Sequence, residues 1–318
     1  MNAHDDHARH ARAGLAYGLF AYGWWGLVPI YFKAVAHVPP LVVLAHRVVW
    51  SVVFLAAIVA LQHRWGELRA VVRSRRLMLT LVASTIAVAL NWLIFIDAVS
   101  DGRVLEASLG YFINPLLTVA LAIVFLKERL RPMQAVALAI AAAGVVVLTV
   151  RTGQMPWVAL LLALTFGTYG LLRKVAPVGP LVGLTVETTL LLPMGLVFAI
   201  VQLAHDVGDR AVMWRSYPLL LLAGVVTAVP LLSFAAAARR LRLTTLGFLQ
   251  YVGPTLQLLL ALWYGESFTA THAVSFGAIW LALVVFTIDS VRAYQARSIA
   301  PAEPVTRAAE IATAPLPE

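Results

Sequence analysis

Ionisable side chains inside apolar segments are the residues of this sequence that could do chemistry. Arg47 and its neighbour His46 lie in one such segment, and Glu187 lies in another. An ionised group at the centre of a membrane helix costs roughly 2.5–3.5 kcal/mol to insert, so each one needs a partner or a task. Arg47 and His46 can receive an anionic or polar group of a solute, whereas Glu187 can complement an amino group or carry a proton. The structural alternative is an internal ion pair between Arg47 and Glu187.

A second set of candidates surrounds two prolines inside apolar segments. Pro115 and Pro254 each remove one backbone hydrogen bond, and broken backbone at membrane depth is tolerated where it lines a cavity. These prolines therefore predict kinks or gates beside a pocket, and a simple packing kink is the alternative. The polar and aromatic side chains predicted to contact a solute there are Asn91, Trp92, Tyr111, Asn114, Gln250, Tyr251 and Gln257. For Asn91, a helix-bridging amide remains the alternative.

The composition indicates the environment in which these residues must be held. Hydrophobic residues make up 61% of the 318 residues, and charged residues make up only 12%. Soluble domains carry about 25% charged residues, so the surface of this chain must face lipid. The net charge of +9 does not favour a nucleic-acid partner, because the basic residues form short clusters between apolar runs. The absence of cysteine excludes disulfides, thiol chemistry and a cysteine metal site.

Apolar runs bounded by charged residues, Gly or Pro predict the helices. Each has close to the ~20 residues that cross a bilayer. The ten predicted spans are 14–36, 41–61, 77–99, 104–126, 133–150, 156–172, 180–204, 217–239, 244–264 and 272–291. Residues 1–13 are predicted to form a cytoplasmic N-terminal tail. Residues 292–318, rich in Ala, Pro, Glu, Arg and Thr, are predicted to form a disordered cytoplasmic tail.

The distribution of basic residues predicts the topology. With the N-terminus in the cytoplasm, the cytoplasmic segments hold 18 Lys and Arg residues and the opposite segments hold 4. Cytoplasmic loops carry an excess of Lys and Arg. The sequence therefore predicts a multi-pass membrane protein with both termini in the cytoplasm.

The two halves of the sequence resemble each other weakly. A shift of 139 residues superposes Arg103 on Arg242 and Pro115 on Pro254, and a shift of 141 superposes Lys33 on Lys174. This predicts two five-helix repeats, at 14–150 and 156–291. Because five is odd, the second repeat would be inverted in the membrane, with a solute site near the bilayer midplane between the halves. Accidental similarity among apolar helices is the alternative.

Several runs of residues resemble those of a known family. They are Ala45 to Trp50, Asn91 to Val99, Leu105 to Pro115, Lys127 to Arg129 and Leu246 to Pro254. In these runs, and over roughly 14–292, the chain is similar to the EamA-type permeases of the drug/metabolite transporter superfamily, and most similar to the RarD-like group. The resemblance implies a ten-helix transporter of small organic solutes in a bacterial inner membrane, with no catalytic chemistry.

The favoured hypothesis is an all-α secondary transporter that moves amino acids, metabolites or drugs by alternating access. A membrane-embedded enzyme and a non-transporting scaffold are the alternatives. The sequence has no Walker-type loop, no His-Glu-x-x-His motif and no Gly-x-Ser-x-Gly motif, so we expect no ATP motor, no catalytic residues, no metal and no cofactor. The expected partners are the solute and the bilayer. Proton coupling through Glu187 is an option that the sequence leaves open, as is the oligomeric state.

Overall fold

The protein is described here by a computed structural model. It describes residues 3–100, 104–152, 157–204, 210–265 and 270–299. Within these ranges the structure is entirely helical, with no strand. The helices are α1 Ala3–Ala34, α2 Pro40–Leu61, α3 Trp65–Arg73, α4 Arg75–Ser100, α5 Val104–Leu126, α6 Pro132–Thr152, α7 Trp157–Val175, α8 Pro180–Ala204, α9 Arg210–Arg240, α10 Leu243–Leu249, α11 Val252–Trp263 and α12 Ala270–Ile299.

Seven stretches of the described chain are long and apolar enough to cross a membrane: α2, α4, α7, α8, α9, α12 and the α10–α11 pair taken together. Two shorter apolar stretches, Gly110–Leu126 and Pro132–Val147, lie within α5 and α6. A bilayer core about 30 Å thick requires about 20 apolar residues in a spanning helix. The chain is therefore an all-α integral membrane protein.

Several helices differ from the boundaries predicted from the sequence; α9, for example, begins at Arg210 and not at 217. α1 begins at Ala3, inside the predicted tail 1–13, and α12 continues through Ile299, past the predicted end at 291. The predicted C-terminal tail, residues 292–318, therefore begins within α12, and residues 300–318 lie outside the described residues. The segment between the second and third predicted spans forms the short helix α3, whose Leu68 and Val71 turn toward the core.

The two prolines act differently in the backbone. Pro115 lies inside the continuous helix α5. The predicted span 244–264 instead divides at Gln250 and Tyr251, and Pro254 is the third residue of α11. A proline is tolerated in the first turn of a helix, because its missing N–H would have no partner there. The expected break in the backbone is thus present just before Pro254 but not at Pro115.

One end of the bundle collects most of the basic residues, and we call it the basic end. Arg131, at the start of α6, forms a 2.5 Å ion pair with Asp289 of α12. Glu128, after α5, accepts hydrogen bonds from the backbone N–H groups of Leu243 (2.8 Å) and Thr244 (3.0 Å) at the start of α10. A carboxylate at this position satisfies N–H groups that have no partner within the helix.

The opposite end joins the end of α1 to the start of α9 and the end of α11. His37 is hydrogen-bonded to Ser216 at 2.6 Å, and the Tyr31 hydroxyl donates to the carbonyl of Leu219 at 3.1 Å. The Lys33 ammonium lies 3.5 Å from the centre of the Tyr264 ring. Helices α1 and α9 therefore run antiparallel, whereas α1 and α11 end at the same side of the bundle.

Candidate functional site

A cavity of about 740 Å³ lies within the helix bundle. It is lined by α1, α2, α4 and α5 from the first half of the chain and by α7, α9 and α11 from the second half. Its lining extends from Tyr22 and Gln250, deep in the bundle, to the α1–α2 connection and Tyr264 at the opposite end. The cavity therefore reaches toward the end away from the basic clusters.

Arg47 is the one charged residue among the described residues that line this cavity. Its Nε donates to the Thr227 hydroxyl of α9 at 2.9 Å. Its guanidinium lies 4.8 Å from the Trp92 ring centre and 5.6 Å from the Phe32 ring centre. Contacts of this kind stabilise a cation by about 0.5–2 kcal/mol each, so the aromatic rings and Thr227 hold the guanidinium in place. None of these three partners carries a negative charge.

His46 points away from the cavity, although it is adjacent to Arg47. Successive helical residues are separated by about 100° around the axis, which turns His46 toward another neighbour. Its Nδ1 accepts a 3.1 Å hydrogen bond from Trp50, and its ring meets Tyr217 edge-on. His46 does not line the cavity in the described structure.

Most of the predicted polar residues line the same cavity. Asn91 does so while its amide donates to the Leu162 carbonyl at 2.9 Å and the Thr165 hydroxyl at 3.0 Å, so it also bridges α4 and α7. Gln257 lines the cavity and donates to the Trp25 carbonyl at 3.2 Å. The remaining predicted residues that line it are Trp92, Tyr111, Asn114, Gln250 and Pro254.

Tyr251 and Pro115 lie behind the cavity wall. The Tyr251 side chain is buried against α5, where its hydroxyl donates to the Phe112 carbonyl at 3.4 Å. The Pro115 carbonyl lies close to Gly247 of α10, where an added Cβ would stand 3.1 Å from it. Both residues therefore hold α5 against the α10–α11 break and do not face the cavity.

Trp25 and Phe166 line the deep end of the cavity, and Phe234 packs behind them. We call these three rings the aromatic floor. Their ring centres are 5.4–5.8 Å apart. Tyr22 and Tyr169 extend this cluster on either side, with Tyr169 stacked on Phe234 at 5.7 Å. The floor separates the cavity from the basic end.

Beneath the floor lies a buried polar group that we call the Arg173 cluster: Ser84, Tyr169, Arg173 and Glu187. The Arg173 and Glu187 side chains are 0% and 2% exposed, with Nη1 and Oε1 3.5 Å apart. Ser84 donates a short hydrogen bond to Glu187, and the Tyr169 hydroxyl donates at 3.5 Å. The cluster joins α4, α7 and α8, so Glu187 is paired outside the cavity and its partner is Arg173, not Arg47.

Comparison with known proteins identifies the family. Residues 12–150 match the EamA-like transporter family. An uncharacterized transporter of Vibrio cholerae serotype O1 is 47% identical over 285 residues, which are 89% of this chain and 94% of that protein. Protein RarD of Escherichia coli strain K12 is 42% identical over 286 residues, or 89% and 97% of the two chains. The chain belongs to the RarD-like group of EamA-type permeases.

A further relative agrees with this assignment, and a solved structure has a similar fold. The chloramphenicol-sensitive protein RarD of Pseudomonas aeruginosa is 35% identical over 274 residues, covering 83% of this chain and 90% of that protein. One crystal structure matches with a TM-score of 0.67 and 19% identity over 87% of this chain and 98% of the other. At that identity the likeness concerns the fold alone. This RarD-like chain is a membrane transporter, and the transporter names of its relatives favour transport over catalysis.

Sequence reasoning missed two features of this RarD-like transporter. Arg173 lies near the end of its apolar run and is one of the 18 basic residues that the charge count places in the cytoplasm. Its guanidinium is instead buried beside Gly183. Tyr22, which lines the cavity, is absent from the residues predicted from the sequence, although a tyrosine in the middle of an apolar run needs a partner for its hydroxyl. Two signals in the sequence point to these features. Gly183 leaves space for a neighbouring side chain, and Tyr22 is a polar aromatic residue inside an apolar run.

Proposed function

We propose that this chain is a ten-span secondary transporter of small organic solutes that works by alternating access. The solute occupies the cavity and contacts Arg47, Asn91, Trp92, Tyr111, Asn114, Gln250 and Gln257. The observation that supports this proposal most directly is that both halves of the chain enclose one cavity. It holds the Arg47 guanidinium, and no carboxylate is among its described lining residues. Ligand pockets are commonly apolar cavities of about 300–1,000 Å³ with a few placed polar groups.

The packing of helices supports two inverted halves. Under the proposed repeat, α1, α4 and α5 are equivalent to α7, α9 and α11. Replacing each helix by its equivalent turns the α5–α7 contact into the α1–α11 contact, and the α4–α7 contact into the α1–α9 contact. The α2–α8 and α6–α12 contacts correspond to themselves. Gly26 of α1 is pressed against Leu256 of α11, as Gly167 of α7 is pressed against Leu121 of α5. Inverted repeats place a substrate site where the halves meet.

Helix ends support the same relationship. Lys127 follows α5 with a φ of 54°, and Gly265 follows the C-terminal end of α11 with a φ of 88°. The two residues are about 138 positions apart, close to the repeat shift. A residue in the left-handed region just after a helix is a common stop signal. Equivalent helices of the two halves thus end in the same way, at opposite ends of the bundle.

The charge distribution supports the orientation. Arg64, Arg129, Lys174, Arg240 and Arg242 all lie at the basic end, which we assign to the cytoplasm of a bacterial inner membrane. The cavity then reaches toward the outside. The aromatic floor and the Arg173 cluster close the cytoplasmic side in this conformation, with His46 and Glu187 as gate residues of the two sides.

Cysteine labelling tests alternating access, because the chain contains no cysteine of its own. Ala36 is exposed at the outer mouth of the cavity, and Ala238 is buried at the basic end. A transported solute that draws the protein to its inward-facing state should slow labelling of the Ala36→Cys variant and speed labelling of the Ala238→Cys variant. The solute for this experiment is first identified by measuring uptake into proteoliposomes for a panel of amino acids, metabolites and antibiotics.

The labelling result decides between the proposed function and its alternatives. Reciprocal changes at the two sites together with flux are the expected result. If every solute leaves both labelling rates unchanged and no flux occurs, the transport proposal is wrong. If a solute is recovered chemically altered without accumulating, the chain acts as an enzyme.

A further inference from the structure

Helix α5 crosses the α10–α11 pair, and the two are equivalent spans of the proposed repeats. α5 runs toward the basic end, whereas α10 starts at the basic end and α11 ends beside Tyr264 on the outer side. The shift of 139 residues that superposes Pro115 on Pro254 relates the two spans. Each contact between them therefore has an equivalent pair of positions on the other side of the crossing.

One contact at the crossing is equivalent to itself. The Tyr251 hydroxyl donates to the Phe112 carbonyl at 3.4 Å, and the same shift exchanges these two residues. Both side chains are buried. Because an inversion of the halves maps this contact onto itself, it is the point about which the two spans can pivot.

On the basic side of this pivot the two spans touch. The amide nitrogen of Gln250 donates to the Thr118 hydroxyl at 3.1 Å, and both side chains are buried. Gly247 lies so close to α5 that an added Cβ would stand 2.8 Å from the Val119 side chain. The Thr118–Gln250 bond therefore belongs to the packing that closes the cavity toward the basic end.

On the outer side of the pivot the cavity lies between the same two spans. Tyr111 of α5, which is 40% exposed, and Gln257 of α11 both line it, and no hydrogen bond joins them in the described structure. The Gln257 nitrogen donates to the Trp25 carbonyl at 3.2 Å, and its oxygen can still accept. The shift superposes Tyr111 on Gln250 and Thr118 on Gln257. The separated pair is thus the equivalent of the bonded pair.

Alternating access turns this equivalence into a specific contact. When each half takes the arrangement that the other half has in the described conformation, the outer side closes through the equivalents of the contacts at the basic side. The equivalent of the Thr118–Gln250 bond is a bond between Tyr111 and Gln257. Their chemistry allows it, because a tyrosine hydroxyl donates and an amide oxygen accepts.

We propose that the two spans pivot on the Phe112–Tyr251 contact, and that a Tyr111–Gln257 hydrogen bond closes the outer side in the inward-facing state. The Thr118–Gln250 bond breaks in that state. This inference rests on the proposed transport function. It adds a gating role for Tyr111 and Gln257 and assigns one to Thr118, which is not among the described lining residues of the cavity.

Removing one hydroxyl from each pair should have opposite effects on labelling of the Ala238→Cys variant without solute. Tyr111→Phe should slow this labelling about fivefold, because the inward-facing state loses about one hydrogen bond. Thr118→Val should speed it by a similar factor, because the outward-facing state loses the bond instead. Thr189→Val is the matched control, since that hydroxyl donates within its own helix to the Thr185 carbonyl, and it should leave the rate unchanged.

A double variant separates a direct bond from a general loss of packing. Gln257→Met keeps the length of the side chain and removes its hydrogen-bonding groups, so it should slow labelling of the Ala238→Cys variant as Tyr111→Phe does. Adding Tyr111→Phe to Gln257→Met should then have no further effect, because residues that share one bond are not additive.

Disulfide cross-linking tests the contact itself, because the chain contains no cysteine. In membranes treated with an oxidant, Tyr111→Cys combined with Gln257→Cys should form a disulfide when the outer side closes. The control combines Tyr111→Cys with Ala261→Cys, a cavity position about 6 Å further along α11. A disulfide requires Cα atoms within about 7 Å, so the control pair should stay reduced over the same period.

The inference is overturned if the two cysteine pairs oxidise equally, or if Tyr111→Phe and Thr118→Val do not shift labelling in opposite directions. It is also overturned if the effects of Tyr111→Phe and Gln257→Met simply add. Reciprocal labelling of the Ala36→Cys and Ala238→Cys variants by a transported solute would in those cases leave the transport function standing. Absence of both labelling change and flux with every solute would instead overturn the transport function itself.

Discussion

At the scale of single residues, adjacent positions in the sequence have separate roles. Arg47 faces the cavity with Trp92 and Thr227, while His46 faces Trp50 and Tyr217. From the sequence, both residues are predicted to belong to one polar site, because the sequence does not show which helices surround each of them. The rotation of about 100° per helical residue divides the pair.

Glu187 illustrates the same point with a larger consequence. The sequence offered a solute contact, a proton carrier or an ion pair with Arg47. The structure pairs it with Arg173, which is fourteen residues away on the neighbouring helix α7. That pairing depends on Gly183, where an added Cβ would lie only 2.2 Å from the Arg173 guanidinium.

Loss of the Glu187 charge should destabilise the protein. In the Glu187→Gln variant the buried Arg173 guanidinium has no counter-charge, and we expect the free energy of unfolding to fall by about 3 kcal/mol. Replacing both partners, as in Arg173→Met with Glu187→Leu, should restore much of this loss, because no buried charge remains. Thermal unfolding in detergent measures both effects.

The exposed Arg64–Glu67 pair provides the control for this prediction. Its side chains are 32% and 53% exposed. Glu67→Gln should change the free energy of unfolding by less than about 1 kcal/mol, because water screens an exposed pair. Equal melting temperatures for the Glu187→Gln and Glu67→Gln variants would contradict a structural role for the Arg173 cluster.

At the scale of helices, close approach depends on small residues at particular positions. Gly224 of α9 lies against the backbone of α2, where an added Cβ would stand 2.3 Å from the carbonyl carbon of Trp50. The Ser51 hydroxyl donates to the Gly224 carbonyl at 3.2 Å across the same contact. Small residues let membrane helices approach until backbones touch.

Gly224→Ala should therefore separate α2 from α9. The methyl group meets backbone rather than a flexible side chain, and we expect a loss of about 1–3 kcal/mol in the free energy of unfolding. Gly277→Ala in α12 is the matched control, because nothing lies within 4 Å of its added Cβ. The control should be neutral or stabilising by up to about 1 kcal/mol, since alanine favours helix. Thermal unfolding compares the two, and similar melting temperatures would contradict the predicted contact.

At the scale of the whole molecule, the proposed inversion relates the two helix connections before α2 and α8. Ala36 and Pro177 are equivalent under the shift of 141 residues, and both are exposed. Ala36 lies at the cavity mouth, whereas Pro177 lies beside the basic end. Inverted halves place equivalent connections on opposite sides of the membrane.

An impermeant maleimide tests the inversion directly in intact cells. The Ala36→Cys variant should react from outside, whereas the Pro177→Cys variant should react only after the membrane is opened. The parent chain, which has no cysteine, is the background control. Labelling of both variants from the same side would mean that the halves share one orientation.

The sequence by itself determined that this chain is a membrane protein, because it has too few charged residues to coat a soluble surface. It also determined the all-α class, because its apolar runs have about the 20 residues of a spanning helix. It also indicated the RarD-like family. Most of the residues that it selected for a solute site line the cavity, because polar groups inside apolar segments are rare and stand out. Only the tertiary structure decided that Arg47 faces the cavity while Glu187 pairs with Arg173. The partner of a buried charge is set by which helices pack together, and that packing brings together residues whose separation in the sequence carries no signal.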